Sequence, residues 1–242
     1  MRVGISILCN MLRILAFALR WMALPFLALI AQAMFIGLWH DARLHGFGIG
    51  IFWHPLTLFW AGGIAFRIGF RALMNRLKKH DPLEFIDTLE HELTHALFGY
   101  LTFSPPVSLT ASLKSGGEVE LKGSNIIIAL APYFFPLWTF ISLLIGFLVQ
   151  TGLQSTWNHG TFFLLGIFTY RLAREYRWRQ TDLHLYGFFF STICTALFLM
   201  LSLGFILAAR GILSLGWILE SGRIFMHNLA GFSHRIFPPQ GN

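Results

Sequence analysis

An all-α polytopic membrane protein is the fold class this sequence predicts, with about five to six transmembrane or re-entrant helices and a small β-hairpin inserted after the helix at 83–103. Three observations carry that expectation. Of 242 residues, 55% are hydrophobic and only 12% charged, whereas ordinary soluble domains hold about 25% charged residues. Apolar runs recur that can cross a hydrocarbon core of ~30 Å, which takes about 20 helical residues. Basic residues gather beside those runs. The net charge of +7 therefore reads as topology determinants facing anionic lipid, and no nucleic-acid footprint is expected.

The elements follow in order. The first span is 21–39. Ala31-Gln32-Ala33 looks like a signal-peptidase site, but Arg13 and Arg20 interrupt the run, so a retained signal anchor is expected. A second uncharged run covers 47–66, and Arg67, Arg71, Arg76, Lys78 and Lys79 follow as a basic loop that the positive-inside rule assigns to the cytoplasm. Pro82 then opens a helix over 83–103. At Val107 the period changes to two. VSLTASLK alternates, Ser115-Gly116-Gly117 turns, and EVELK alternates again, which gives a β-hairpin over 107–122 or an exposed amphipathic loop.

Residues 126–150 are apolar with Pro132 and Pro136 inside. The apolar stretch 161–170 is short of a span and runs into Arg171, Arg174, Arg177 and Arg179, a second cytoplasmic basic segment. The last clear span is 183–209, and the tail after Arg210 holds one short apolar piece, GILSLGWIL. Cys9 and Cys194 lie in apolar runs and read as core residues. The chain divides into an N-terminal transmembrane hairpin with its basic loop (1–82), a membrane core (83–209) and a tail (210–242). A bacterial inner (cytoplasmic) membrane is the expected location, with the lipid bilayer as surroundings.

The helix at 83–103 carries His91-Glu92-Leu93-Thr94-His95, an HExxH pattern. Residues four apart share a helix face, so both imidazoles can address one ion. Zinc suits imidazole ligands. A bound dication lowers the pKa of water from 15.7 to about 7, and Glu92, beside the first ligand, can take the proton as a general base. A charge at the centre of a membrane helix costs about 2.5–3.5 kcal/mol, so its presence there marks a functional site or a wet cavity. The alternative is a helix lying in the interface with its histidines solvated. Asp87, one turn before His91, can accept the far N–H of that ring or serve the helix dipole as an acid of the early helix.

Catalytic zinc sites have three protein ligands and a water. Asp182, near the start of the last span, is the first candidate for the third, and its other possible role is a helix N-cap. Gly187, Ser191 and Thr195 recur every four residues beyond it and let another helix come close. His184, Glu118, Glu120 and Glu175 are the remaining candidates. By helix rise His91 lies about 12 Å along its helix, whereas Asp182 lies at the nominal membrane edge.

These segments resemble the site-2-protease-like intramembrane metalloproteases, peptidase family M50, over roughly 83–195. HELTHALFGY is similar to that family's metal helix, GGEVEL to its Gly-rich strand, ALAPYFFP to the Ala-Gly-Pro segment of the next membrane helix, and QTDLHLYG to the stretch that holds an aspartate ligand. The resemblance implies one zinc ion per chain and hydrolysis of a membrane-spanning protein substrate in or near the bilayer. A helix hides its peptide bonds, so such a substrate must be extended, and the edge of the hairpin can pair with it by β-augmentation. Rival readings are an HExxH membrane protease with a Glu third ligand, an inactive scaffold, and a transporter whose helices break at Pro132 and Pro136 to line a path.

Overall fold

The computed structural model of the chain describes residues 2–44, 54–112, 116–148, 154–178, 180–209 and 216–236. It is mostly helical, with one two-stranded antiparallel sheet. Three helices are long and apolar enough to cross a membrane, or four if a bent pair counts as one span.

Helix α1 (Arg2–Leu44) is longer than the expected 21–39 span and contains a candidate membrane segment at Ala23–Asp41. Helix α2 (Pro55–Arg76) starts where His54 accepts the Leu56 amide and Pro55 presets the first turn. The second run therefore sits later than 47–66, part of which lies outside the described residues. Arg67, Arg71 and Arg76, expected in a loop, are helical. A charge can stay in an apolar helix when it is paired. Arg67 is 0% exposed and donates to Asp81 at 2.5 Å and to Asp87 at 2.6 Å.

Helix α3 (Pro82–Leu101) matches the expected 83–103 closely. Asp81 caps it by accepting the Leu83 amide at 2.9 Å, and Pro82 follows at the first position. The hairpin is present: β1 (Pro106–Ser112) pairs with β2 (Gly116–Leu121), with Leu109 opposite Val119 and Thr110 opposite Glu118. Gly116 and Gly117 belong to β2, and Ser115 of the expected turn lies outside the described residues.

The apolar run after the hairpin breaks into α4 (Ile126–Phe134) and α5 (Leu137–Leu148), which meet at 73°. Pro136 has no N–H to offer the Pro132 carbonyl. Arg171 takes that carbonyl instead, at 3.2 Å. Glu90 accepts the Trp138 amide in the first turn of α5, at 3.3 Å. Backbone groups that the break would strand are thus satisfied by two charged side chains.

Helix α6 (Gln154–Glu175) corrects the reading of 161–170 as a short apolar stretch before a basic surface segment. Its first turns are polar, but Trp157 Nε1 donates to the Ser142 carbonyl at 2.7 Å, and Thr161 and Ser142 hydroxyls bond at 2.9 Å. Helices α2 and α6 touch backbone to backbone: a Cβ on Gly63 would fall 2.1 Å from the Phe163 carbonyl oxygen, and one on Gly166 would fall 2.0 Å from that of Trp60. Arg171, near the end of α6, is 2% exposed and faces Glu90 and Glu175.

The last expected span is interrupted. Helix α7 (Thr181–Leu185) ends before Gly187, whose φ of +93° suits glycine, and α8 (Phe188–Ala209) follows. Ser191 and Thr195 are buried on α8, and Cys194 packs beside them against Leu130, Ala131 and Phe134 of α4. In the tail, helix α9 (Gly216–Ile236) packs along α1 through Trp217, Ser221 and Gly37, far more order than one short apolar piece suggested.

Candidate functional site

The HExxH residues lie at mid-length of α3, on the side facing α4 and α7. His91 and His95 stand one helical turn apart, with ring centroids 4.9 Å from each other. Each ring is held through Nδ1. His95 Nδ1 donates to the Ile128 carbonyl of α4 at 2.8 Å. His91 Nδ1 lies 3.4 Å from Glu175 Oε2, at the end of α6. With an acceptor at each Nδ1, the proton belongs there on both rings. Both Nε2 lone pairs then point the other way.

They point at Asp182. Its Oδ2 is 3.6 Å from His91 Nε2 and 3.9 Å from His95 Nε2. The three side chains offer ligand atoms all within 4.8 Å of one another. Asp182 is not the N-cap of α7. Gln180 occupies that position without a side-chain cap bond, and Asp182 lies in the first turn with its carboxylate turned to the histidines. His91 and Asp182 meet because helix α6 ends at Glu175, beside His91, so the chain enters α7 next to the site.

Neither a family model, nor a curated protein, nor a solved structure matches the chain.

The chemistry of the trio must therefore be read from its own atoms. Two imidazole lone pairs and a carboxylate oxygen converge, and the one donor among the described residues at that carboxylate is the Tyr133 hydroxyl, which reaches Asp182 Oδ2 at 3.1 Å. Three acceptors this close need a cation or a proton between them. Two neutral imidazoles with a carboxylate suit a borderline dication such as zinc. The donor set passes that test.

Glu92 is buried, at 8% exposure, and lines a cavity of about 570 Å³ together with His91, His95, Asp182, Val119 and Leu185. Strand β2 runs over it. A Cβ on Gly117 would come 2.5 Å from Glu92 Cγ and 2.8 Å from Glu92 Oε1, so only glycine lets the strand lie this close to the carboxylate.

The other candidates fall elsewhere. His184 is exposed, with Nε2 on the Trp178 carbonyl and its ring against Trp178. Glu120 is exposed beside Ser108, and Glu118 lines the cavity without joining the trio. Glu175 stands behind His91, on the far side of the ring from Asp182. Asp87 is a correction: its carboxylate is taken by Arg67 of α2, and Glu175 has the position at His91 Nδ1 that spacing along α3 suggested for Asp87. A partner brought by a distant helix is invisible to a periodicity argument.

Sequence reasoning also missed Glu90, Arg171 and Tyr133. Glu90 and Arg171 did carry a signal, because a charge of each sign inside an apolar run suggests mutual pairing. Tyr133 carried none beyond its neighbour Pro132.

Proposed function

We propose that the chain is a zinc-dependent intramembrane endopeptidase, similar to the site-2-protease-like family M50, that hydrolyses peptide bonds of a membrane-spanning substrate. The observation that carries this reading is the convergence of His91 Nε2, His95 Nε2 and Asp182 Oδ2, with both histidine Nδ1 atoms already engaged and Glu92 beside them in the cavity. His91, His95 and Asp182 would hold one zinc ion. When bound, the ion supplies a Lewis acid that polarises a carbonyl and makes water acidic.

The chain's own residues do the rest. A Glu92 carboxylate oxygen takes a proton from the attacking water and returns it to the nitrogen of the leaving amine. Strand β2 supplies an edge along the cavity, through Gly117 and Val119, to which an extended substrate segment can add as a strand. Extension is necessary because an intact helix keeps its carbonyls bonded to its own amides.

The same reading gives the membrane count of about six. Besides the three apolar helices and the bent pair, α3 with 20 residues and α6 with 22 are long enough to cross. Most of their charges are paired within the protein, Asp87 with Arg67, Arg171 with Glu90 and Glu84 with Arg71 and Arg174, while Glu92 faces the cavity.

The rival reading replaces the metal with a proton. His91 at 3.6 Å from Asp182 makes a plain ion pair once Nε2 is protonated, and the chain is then an inactive scaffold. One experiment separates them. Purified parent and Glu92→Gln are reconstituted into vesicles with a panel of single-span peptides carrying helix-breaking residues, and products are read by mass spectrometry with bound zinc measured in parallel. The endopeptidase reading expects about one zinc in both proteins, and cleavage by the parent alone that a chelator stops. No zinc in the parent, or equal cleavage by Glu92→Gln, overturns it.

A further inference from the structure

We propose that the Tyr133 hydroxyl is the positioning group for Asp182, fixing how the carboxylate faces the metal and so setting the affinity and coordination of the site; the proposal rests on the metal-site reading above.

The two residues differ in how they are held. Asp182 belongs to α7, a helix of five residues with no side-chain cap at Gln180 and a left-handed glycine, Gly187, just beyond it. Leu183 anchors that helix in the core, yet the neighbouring Asp182 side chain keeps 30% exposure. Nothing in α7 fixes the rotation of the carboxylate. An Asp carboxylate turns freely about its last torsion. It can therefore offer an ion one oxygen, the other, or both.

Tyr133 is the opposite case. It is 0% exposed. Its ring meets the His91 ring edge-on, at 5.6 Å and 86°, and the Tyr176 ring at 5.7 Å and 90°. The residue before it, Pro132, has its carbonyl held by Arg171. A rigid donor thus presents one proton to a carboxylate with a loose torsion, and it does so at Oδ2, the oxygen that approaches both histidines. Occupying one lone pair of Oδ2 fixes the rotation of the carboxylate and leaves that oxygen its second lone pair for a cation. Tyr133 does not line the cavity, so it acts through Asp182 and does not touch a substrate.

Each member of the trio then has a distinct outer partner: a carboxylate on His91, a backbone carbonyl on His95 and a phenol on Asp182. Loss of such a partner typically costs about 10–100-fold in metal affinity. Tyr133→Phe keeps every ring contact and removes only the hydroxyl. Tyr176→Phe is the control, since its hydroxyl donates to Thr192 at 2.9 Å within the same ring cluster and does not reach Asp182.

The test uses the full chain in detergent, stripped with chelator and titrated with cobalt(II), whose visible absorption reports coordination number and geometry, followed by competition with zinc. Thermal midpoints of the metal-free proteins calibrate any loss of packing common to both variants. The expected result is one cobalt per parent chain, about 10–100-fold weaker binding with an altered spectrum in Tyr133→Phe, and parent-like affinity and spectrum in Tyr176→Phe. A Tyr133→Phe protein with the parent's affinity and spectrum overturns the proposal while leaving the metal site standing. Parent protein that takes up neither cobalt nor zinc overturns the metal reading, and this proposal with it.

Discussion

Glu90 and Arg171 meet at 3.4 Å over the break between α4 and α5, and each secures one side of it. Their side chains are 4% and 2% exposed. The pair therefore satisfies backbone groups that the break leaves without an intrahelical partner, the Pro132 carbonyl and the Trp138 amide.

Removing one member of a buried pair strands the other, at a cost of about 3–5 kcal/mol. Arg171→Met leaves Glu90 without a counter-charge and the Pro132 carbonyl without its donor. Its thermal midpoint in detergent should fall clearly. Adding Glu90→Gln to that variant should recover part of the loss, because glutamine still accepts the Trp138 amide without a buried charge. A double variant less stable than Arg171→Met would contradict this account.

Asp182→Asn tests the ligand role directly. No cap bond is lost, since Gln180 holds the cap position, and stability of the metal-free protein should stay near the parent's. Asparagine supplies no negative charge to a dication. Zinc affinity should fall by at least the roughly 10–100-fold seen when a mere outer partner is lost. Titration against a fluorescent chelator measures it, and parent-like affinity would remove Asp182 from the site.

At Gly117 the expectation concerns geometry alone. A methyl group there meets Glu92 and Thr88 of α3, the latter at 2.7 Å from its Cγ2. Gly117→Ala should push the strand or the Glu92 side chain aside. Zinc content should hold while peptide cleavage drops sharply. Unchanged turnover would mean that the strand does not fix the base.

The crossing of α2 and α6 predicts a contrast between glycines. Gly63→Ala and Gly166→Ala force two backbones apart and should each lower the thermal midpoint, at about 1–3 kcal/mol for overpacking. Gly69→Ala has open space around its Cβ and should be neutral or slightly stabilising. Equal effects at all three positions would refute a close crossing.

Local signals in the sequence were read well. Pro82 marks the start of α3, the period-two alternation marks the hairpin, and four-residue spacing sets His91 over His95. What escaped was non-local. The polar opening of α6 hides a helix because Ser142, on α5, satisfies Trp157 and Thr161. Asp87 pairs with Arg67 rather than His91 because α2 brings a cation that spacing along α3 cannot reveal. The interruption before Phe188 depends on one left-handed glycine, and α9 on a surface of α1.

The burial of Arg67 and Arg171 has a consequence in time. Charges that orient a nascent helix act while the segment is still bare, before its neighbours have been made or inserted. Arg67 precedes both of its aspartates in the chain, and at that stage it is a naked cation. Once α3 arrives, the same guanidinium is neutralised and sealed from water. On the proposed membrane reading, a single residue would thus give direction to the growing polypeptide first and cohesion to the finished one later, and a substitution there would disturb biogenesis and endurance as two separable defects.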